Sequence, residues 1–349
     1  MQPVQRLEST CPECEPGTSP RQRLGRRDFF RTVGATTAAL AAAGGLPNPV
    51  TAAPAVTASP APAEALIREL YTTFDADQKK SLVLPWDHAM GMVPTRLGMY
   101  NGPINKKLIG VDYTKKQVEI LDRIFRSICN GEEGYNRLSR NGKFDGSGDF
   151  ESIGALLFGE PVDGKKFSLV FSGHHLTLRC DGNSEPDAAF GGPLYYGHSV
   201  DGYSDKNVFF YQTKAVMSVF DSLNEQQRKV AAIPALPPQP REQAGSVQFK
   251  KAGYPGLSIQ ELSKDQRALV ESVMHQLVSP YRKEDGDEVM ELIKANGGME
   301  KIHLAFYSDK DAKDNKKWHF WRLEGPGFVW NFRPLPHVHT FVHVRKQVV

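Results

Sequence analysis

The chain has 349 residues, of which 40% are hydrophobic, and a formal net charge of +3 at pH 7. A charge this close to balance gives no electrostatic basis for binding nucleic acid or an anionic membrane surface. The length is sufficient for one large domain, or for two small ones that share a core, behind a targeting segment.

An export signal is predicted at the N-terminus. Arg26 and Arg27 precede an uncharged run rich in alanine and glycine, in which small-residue cleavage sites end at Ala53 and Ala55. This pattern resembles a bacterial twin-arginine leader. Residues 1–55 are therefore predicted to be a signal peptide and tether that the export machinery recognises, and the mature protein to be periplasmic or extracellular.

Two other interpretations of this segment are a disordered basic N-terminus and a membrane anchor. Glycine and threonine interrupt the apolar run 33–46. A helix that spans a bilayer needs roughly 20 mainly apolar residues. We therefore predict no transmembrane span here, and the export leader is the favoured interpretation.

One local signature predicts four helix starts. A residue that can cap a helix is followed three positions later by glutamine, the pattern of a capping box. The pairs are Asp75 with Gln78, Thr114 with Gln117, Asn224 with Gln227, and Ser263 with Gln266. Gln78 and Gln117 are separated by the same number of residues as Gln227 and Gln266. An internal duplication and repeated capping chemistry both explain this regularity.

Segments rich in aromatic and β-branched residues predict strands between and after these helices. The predicted strand segments are 167–179, 208–212, 302–307, 318–323, 328–332 and 338–344. Breaks such as Gly325-Pro326-Gly327 predict hairpins. The fold class is therefore α+β, a mainly antiparallel sheet with several amphipathic helices packed on it, in a single large domain over residues 63–349.

Histidines on the last predicted strand are the strongest candidates for chemistry. His337, His339 and His343 occupy alternate positions, so a strand would place all three imidazoles on one face. Two histidines at i and i+2 can bind one metal ion from the same side. We therefore predict a single transition-metal site, without distinguishing zinc, iron, copper and manganese.

Further ligands are expected from elsewhere in the chain. His174 and His175 are adjacent in segment 167–179, and alternation along a strand would direct one of them to the site. Glu324 or Glu151 would complete a histidine and carboxylate set that leaves positions open for water or substrate. The alternative is a hydrogen-bonded histidine seam, or a pocket for an anionic or aromatic ligand.

Arg322 and Glu324 are the candidate catalytic residues. Aromatic residues flank Arg322, so its guanidinium could hold a carboxylate or phosphate group of a ligand. The alternative is an arginine stacked on those rings and paired with Glu324. Separately, segment 145–151 has oxygen ligands at the first positions of a calcium-loop template but lacks its glycine and final glutamate. It is predicted to be a tight turn that leads into a helix.

Several short motifs occur in a distinctive order along the chain. They are Trp86-Asp87, Gly173-His174-His175-Leu176, Ser222-Leu223 followed by Gln227, Trp321-Arg322-Leu323-Glu324-Gly325-Pro326, and His337-Val338-His339-Thr340. Together they resemble the bacterial and fungal domain-of-unknown-function family 3500, over nearly all of residues 65–345. The resemblance implies a common architecture and a shared set of histidines, but no reaction. Phe320-Trp321 departs from the tyrosines expected before the arginine.

Two hypotheses for function follow. The first is an exported metal-dependent enzyme, hydrolytic or oxidative, that acts on a small molecule. The second is an exported protein that binds a small ligand, without catalysis, in a pocket lined by histidine and tryptophan. The export route suits a cofactor inserted before transport, and the paired histidines suit a ligand set, so the enzyme is favoured.

Overall fold

The structure is a computed structural model that describes residues 62–90, 93–235, 249–309 and 316–347. The predicted leader, with Arg26, Arg27 and both cleavage sites, lies outside the described residues. No helix in the part described is both long enough and apolar enough to cross a membrane.

The predicted capping boxes all form, because the cap and the glutamine that follows it satisfy each other locally. Each cap side chain accepts a hydrogen bond from the backbone N–H of the glutamine, and each glutamine side chain accepts one from the backbone N–H of the cap residue. They start α2, α4, α7 and α8. The helices described are α1 (Ala63–Thr72), α2 (Ala76–Leu82), α3 (Ile109–Asp112), α4 (Lys115–Ile128), α5 (Gly131–Leu138), α6 (Phe210–Ser222), α7 (Glu225–Ala231), α8 (Lys264–Val278) and α9 (Lys283–Ala295).

The strands form one large, mostly antiparallel sheet, which confirms the predicted α+β class. They are β1 (Val83–Leu84), β2 (Ala89–Met90), β3 (Val93–Pro94), β4 (Gly154–Gly159), β5 (Phe167–Gly173), β6 (Leu176–Cys180), β7 (Leu194–His198), β8 (Ala232–Ile233), β9 (Leu257–Ser258), β10 (His303–Tyr307), β11 (Phe320–Gly325), β12 (Phe328–Arg333) and β13 (Val338–Val344). The order across the sheet is β1-β4-β5-β6-β7-β13-β12-β11-β10-β8, with β9 beside β10, while β2 and β3 form a separate pair.

The two faces of the sheet differ in polarity. Trp321, Trp330 and Val342 belong to the large apolar core, which also contains residues of α1, α4, α6 and α8. The residues next to them along the same strands point to the opposite face, because side chains alternate along a strand. Register places Arg322, Asn331 and Phe341 side by side on that opposite face. The face opposite the hydrophobic core therefore combines buried polar side chains with smaller apolar clusters.

The prediction of a strand at 208–212 is wrong. Phe210–Ser222 is α6, and its buried residues include Gln212, Thr213, Val216 and Phe220. These positions follow helical spacing. The aromatic residues at 209–211 have high strand propensity, but packing of the longer helical stripe outweighs that local preference.

Segment 167–179 is also not one strand. It forms β5 and β6, which are antiparallel partners with Gly173 opposite Leu176. His174 and His175 are the turn between them, so the prediction that alternation sends these two side chains to opposite faces of a strand is wrong. Their rings instead lie together, with centroids 4.0 Å apart.

The structure distinguishes between the two explanations for the glutamine spacing. Gln78 and Gln117 bond each other through their side-chain amides, at 2.8 and 2.9 Å, and are 39 residues apart. Gln227 and Gln266 form the same reciprocal pair, at 3.0 and 2.9 Å and again 39 residues apart. Capping alone requires no contact between two capping boxes. The matching contacts therefore favour duplication.

The sheet repeats the same pattern. β1 is parallel to β4 in the first half, and β8 is parallel to β10 in the second. Antiparallel strands follow in each half, and the halves meet where β7 pairs with β13. Leu194 lies directly opposite Val342 in that pair, and the two occupy equivalent positions in their halves. The described fold is thus two structural repeats related by an approximate twofold axis.

Double-mutant cycles would test this equivalence. We expect Gln78→Ala and Gln117→Ala to show a coupling of about 1 kcal/mol in the free energy of unfolding, because each change removes the same reciprocal contact. Gln227→Ala with Gln266→Ala should show a coupling of the same sign and similar size. Chemical denaturation measures both, and Gln78→Ala with Gln266→Ala is the additive control. A coupling of zero in either pair would contradict the assignment.

Candidate functional site

Three histidines converge beside the centre of the sheet. His175 belongs to the β5–β6 turn, His337 precedes β13, and His339 is its second residue. Nε2 of His337 lies 3.2 Å from Nε2 of His175 and 2.9 Å from Nε2 of His339. One ring nitrogen from each residue lies within 4.8 Å of the other two. His175 and His337 are buried and His339 is half-buried.

The backbone holds His175 in an uncommon conformation. Its φ is +52°, in the left-handed region that non-glycine residues seldom adopt. The His175 amide donates to Asn101 Oδ1 at 2.8 Å, and its carbonyl accepts from the Gly197 amide at 3.0 Å. A Cβ at Gly197 would lie 3.2 Å from His175 Cβ and 2.2 Å from the Val338 carbonyl oxygen. Glycine at 197 therefore lets the turn approach β13.

Asp145 orients His175 from the side opposite the other histidines. Its Oδ2 lies 2.5 Å from His175 Nδ1 and accepts from Ser199 Oγ at 2.9 Å. Burial raises the pKa of the Asp145 carboxyl, but hydrogen bonds from His174 and His175 and the charge of Arg140 outweigh burial and hold that pKa well below its usual value. Asp145 is therefore an ionised carboxylate that accepts the proton on His175 Nδ1, and in the neutral ring this tautomer has its lone pair on Nε2.

His174 is part of this support. Its Nδ1 lies 3.0 Å from the Gly146 amide nitrogen and 3.1 Å from Asp145 Oδ2. In the contact with the Gly146 amide, Nδ1 must accept a hydrogen bond, and in the contact with Asp145 Oδ2 it must donate one. His174 therefore makes one of these hydrogen bonds at a time. Asp145, His174 and His175 also form a compact group of potential ligands. However, Oδ2 and Nδ1 at 2.5 Å are at the distance of a strong hydrogen bond, so this second group orients His175 and the first is the better metal site.

Hydrogen bonds among the three imidazoles cannot satisfy both short Nε2 contacts of His337. Burial is the main cause that lowers the pKa of His337, to about 3, and that of His339 well below its usual value. Both rings are therefore neutral at pH 7, and each carries one N–H. With the His175 proton on Nδ1, His337 Nε2 can form a hydrogen bond with His175 Nε2 or with His339 Nε2, but not with both. The remaining contact places two lone pairs, or two N–H groups, against each other.

A single metal ion accounts for both contacts. Two nitrogen ligands of a tetrahedral zinc ion, each about 2.0–2.1 Å from the metal, lie about 3.4 Å apart. The observed separations of 3.2 and 2.9 Å are shorter than that value by about 0.2 and 0.5 Å, so a bound ion requires the rings to move apart only slightly. A carboxylate behind one histidine is also the usual outer support of a metal ligand. The chemistry and the spacing of these donors thus fit a metal ion.

Arg333 adds a positive charge at the same place. Its Nη2 lies 3.0 Å from both ring nitrogens of His339, and β12 pairs Arg333 directly with His339. An arginine can only donate and a neutral His339 ring has a single lone pair, so this hydrogen bond and a metal ion would compete for the same lone pair. The guanidinium lowers the affinity of the site for a bare cation and favours an anion next to it.

The other predicted site residues lie outside the three-histidine group. His343 is on the same face of β13, but its ring packs against Phe249, with centroids 4.7 Å apart. Arg322 donates from Nε to Asn331 Oδ1 at 2.8 Å, and Glu324 has Lys250 at 3.8 Å. Glu151 is exposed on a short 3-10 helix. The structure therefore brings together His174, His175, His337 and His339 and leaves these four residues apart from them.

The sequence reasoning missed Asp145 and Arg333. Segment 145–151 does contain tight turns, two short 3-10 helices, as predicted in part. Asp145 also lies in the left-handed region, with φ +53°. In the sequence, a loop aspartate followed by glycines indicates only a calcium loop or a tight turn. Its use as a partner of His175 depends on tertiary structure, since 30 residues separate the two.

Comparison with known proteins identifies one relationship. The model of a family described as "Protein of unknown function (DUF3500)" matches residues 58–347. Neither a curated protein nor a solved structure matches the chain. The family match agrees with the resemblance inferred from the sequence motifs and covers nearly the same residues.

Lowering the pH should destabilise the fold in part through His343. Burial lowers the pKa of its imidazole from 6.5 to about 3, with a smaller contribution from the charges of Arg345 and Arg179. The unfolded chain therefore takes up this proton first, and the free energy of unfolding falls as the pH drops from 6.5 towards 3. One such group contributes a slope of about 1.4 kcal/mol per pH unit.

The variant His343→Phe cannot titrate at this position. We expect it to flatten the dependence of unfolding free energy on pH by up to that slope, measured by urea denaturation between about pH 7 and pH 4. His275→Gln is the control, because His275 is exposed. An unchanged slope in His343→Phe would show that the neutral form of this imidazole is not preferred in the folded state.

Proposed function

This chain belongs to the DUF3500 family of proteins of unknown function, and we propose that it is a metal-dependent hydrolase with a single divalent ion held by His175, His337 and His339. The observation that carries the proposal is the pair of short Nε2 contacts at His337, at 3.2 and 2.9 Å, which neutral imidazoles cannot satisfy between themselves. Three lone pairs directed at one cation would satisfy them.

The chemistry supports hydrolysis over oxidation. A divalent ion held by neutral histidines keeps its full charge and lowers the pKa of a bound water towards neutrality, as in zinc sites with three histidines. Iron sites that activate oxygen commonly use two histidines and a carboxylate. In the part of the chain described, the group of three histidines includes no carboxylate ligand. Zinc is therefore the metal that we propose.

The residues around the histidines have distinct roles in this proposal. Asp145 accepts the Nδ1 proton of His175, fixes its tautomer and makes Nε2 a better donor. Hydrogen bonds from His174 and His175 and the charge of Arg140 keep Asp145 ionised, and Ser199 Oγ donates to the same carboxylate. Arg333 stabilises negative charge that develops on the substrate beside His339, as positioned cations do in other hydrolytic sites.

We also propose that the protein works after export. The support is the paired Arg26 and Arg27 ahead of an uncharged run with small-residue cleavage sites. Replacing both arginines with lysine should retain the full-length protein in the cytoplasm. Cell fractionation with an antibody to the mature protein measures this, and Arg21→Lys with Arg23→Lys is the control. Normal export of the Arg26→Lys/Arg27→Lys variant would refute the proposal.

Metal content is the direct test of the site. The mature protein, purified without chelator or histidine tag, should contain about one equivalent of a transition metal by elemental analysis. His337→Ala with His339→Ala should lose the metal and any hydrolysis of 4-nitrophenyl acetate. His343→Gln should keep both, because His343 lies outside the three-histidine group. A wild-type protein that neither contains nor takes up metal would end the proposal.

Asp145→Asn should weaken metal binding without removing a ligand. Loss of an outer carboxylate partner typically lowers metal affinity by about 10- to 100-fold. Competition with a chromogenic chelator measures the dissociation constant. Asp149→Asn is the matched control, because Asp149 lies in the same loop but is exposed and bonds only Ser152 among the described contacts. Equal metal affinity in both variants would show that Asp145 does not support the ligand set.

A further inference from the structure

Three polar side chains near the histidines are buried with unsatisfied atoms. Asn331 and Glu324 are each 2% exposed, and His343 is 7% exposed. Within the part of the chain that the structure describes, Asn331 Nδ2 and His343 Nδ1 have no hydrogen-bond partner, and Glu324 Oε2 has only the Lys250 ammonium, at the ion-pair distance of 3.8 Å. A buried polar atom without a partner is costly, and native structures contain few of them. Such atoms also occur elsewhere in the described structure, but these three share one face of the sheet with the histidine site, where a polar ligand could satisfy them.

Strand register places these atoms on one surface. Asn331 pairs with Arg322 on β11 and with Phe341 on β13, and Glu324 and His343 are each one diagonal step away. Diagonal neighbours on a sheet have Cα atoms about 7–8 Å apart, within reach of one another's side chains. Arg322 Nε donates to Asn331 Oδ1 at 2.8 Å, so the amide is oriented and its Nδ2 donor is directed away from Arg322.

The same surface is continuous with the histidine site. Asn331 and Arg333 alternate along β12, and Arg333 pairs with His339. Asn331 is therefore also one diagonal step, about 7–8 Å, from His339. Lys250 approaches Glu324 and Phe249 packs against His343, so these two residues lie over the polar atoms.

We infer that Asn331 and Glu324 form a substrate subsite for a hydroxyl group of a neutral molecule, on the same face of the sheet as the histidine site. That the bound molecule is a substrate rests on the proposed function. A hydroxyl can accept from Asn331 Nδ2 and donate to Glu324 Oε2 at once. Lys250 Nζ already balances the charge of Glu324 from 3.8 Å, beyond hydrogen-bonding distance, and a ligand carbonyl would satisfy only Asn331.

The test uses isosteric changes of donor and acceptor. Neutral sugars and sugar alcohols, from monosaccharides to trisaccharides, are titrated into the mature protein by calorimetry, with and without zinc. We expect at least one of them to bind the wild type. Asn331→Asp should weaken that binding roughly tenfold, because it removes the donor but leaves an acceptor for Arg322. Asn183→Asp is the control, the same change at an exposed position.

A second variant keeps the result interpretable if Asn331→Asp disturbs the fold. Asn331→Asp combined with Glu324→Gln exchanges the acceptor and the donor, and a hydroxyl can reverse its own roles to match. The double variant should therefore bind more tightly than Asn331→Asp alone. The inference is overturned if no probe binds the wild type, if Asn331→Asp binds as well as the wild type, or if the double variant gives no recovery.

The metal-site variant separates this inference from the proposed function. His337→Ala with His339→Ala leaves Asn331 and Glu324 in place, so sugar binding should persist after metal and hydrolysis are lost. If the protein binds metal and Asn331→Asp leaves its sugar binding unchanged, the subsite alone is overturned. Sugar binding that depends on Asn331, in a protein that takes up no metal, would support the subsite and overturn the metal site.

Discussion

The hydrogen bond between Asp145 and His175 is the constraint on which the geometry of the site depends. It fixes one nitrogen of a buried imidazole as a donor and directs the other towards His337 and His339. The fold stabilises the ionised carboxylate with Ser199 and the charge of Arg140. The left-handed backbone of His175 has an energetic cost of order 1–3 kcal/mol, and such strain is typical of functional positions.

One face of the sheet contributes mainly to stability, and the opposite face carries the groups suited to chemistry. Its helix-covered face contains the large aromatic and aliphatic side chains, among them Trp321 and Trp330, and provides most of the hydrophobic free energy of folding. The opposite face buries arginine, glutamate, asparagine and histidine, which a purely structural surface would rarely do. The candidate site lies on that second face, among these buried polar and charged groups.

The features predicted from sequence are those with local causes. A capping box involves four neighbouring residues, and His337 and His339 share a face because strand geometry alternates. His343 has the same alternation but lies four residues beyond His339, about 13 Å along a strand, too far to share an ion. Asp145 and Arg333 reach the site only through tertiary pairing, which no local pattern encodes.

The approximate twofold axis explains how one site, and not two equivalent sites, came to form. Two identical chains that pair through one strand must repeat every substitution in both copies. Here β7 and β13 make that contact within a single polypeptide. The turn that carries His174 and His175 therefore has Pro326 and Gly327 as its counterpart between β11 and β12. The molecule combines the architecture of a homodimer with the sequence freedom of a heterodimer.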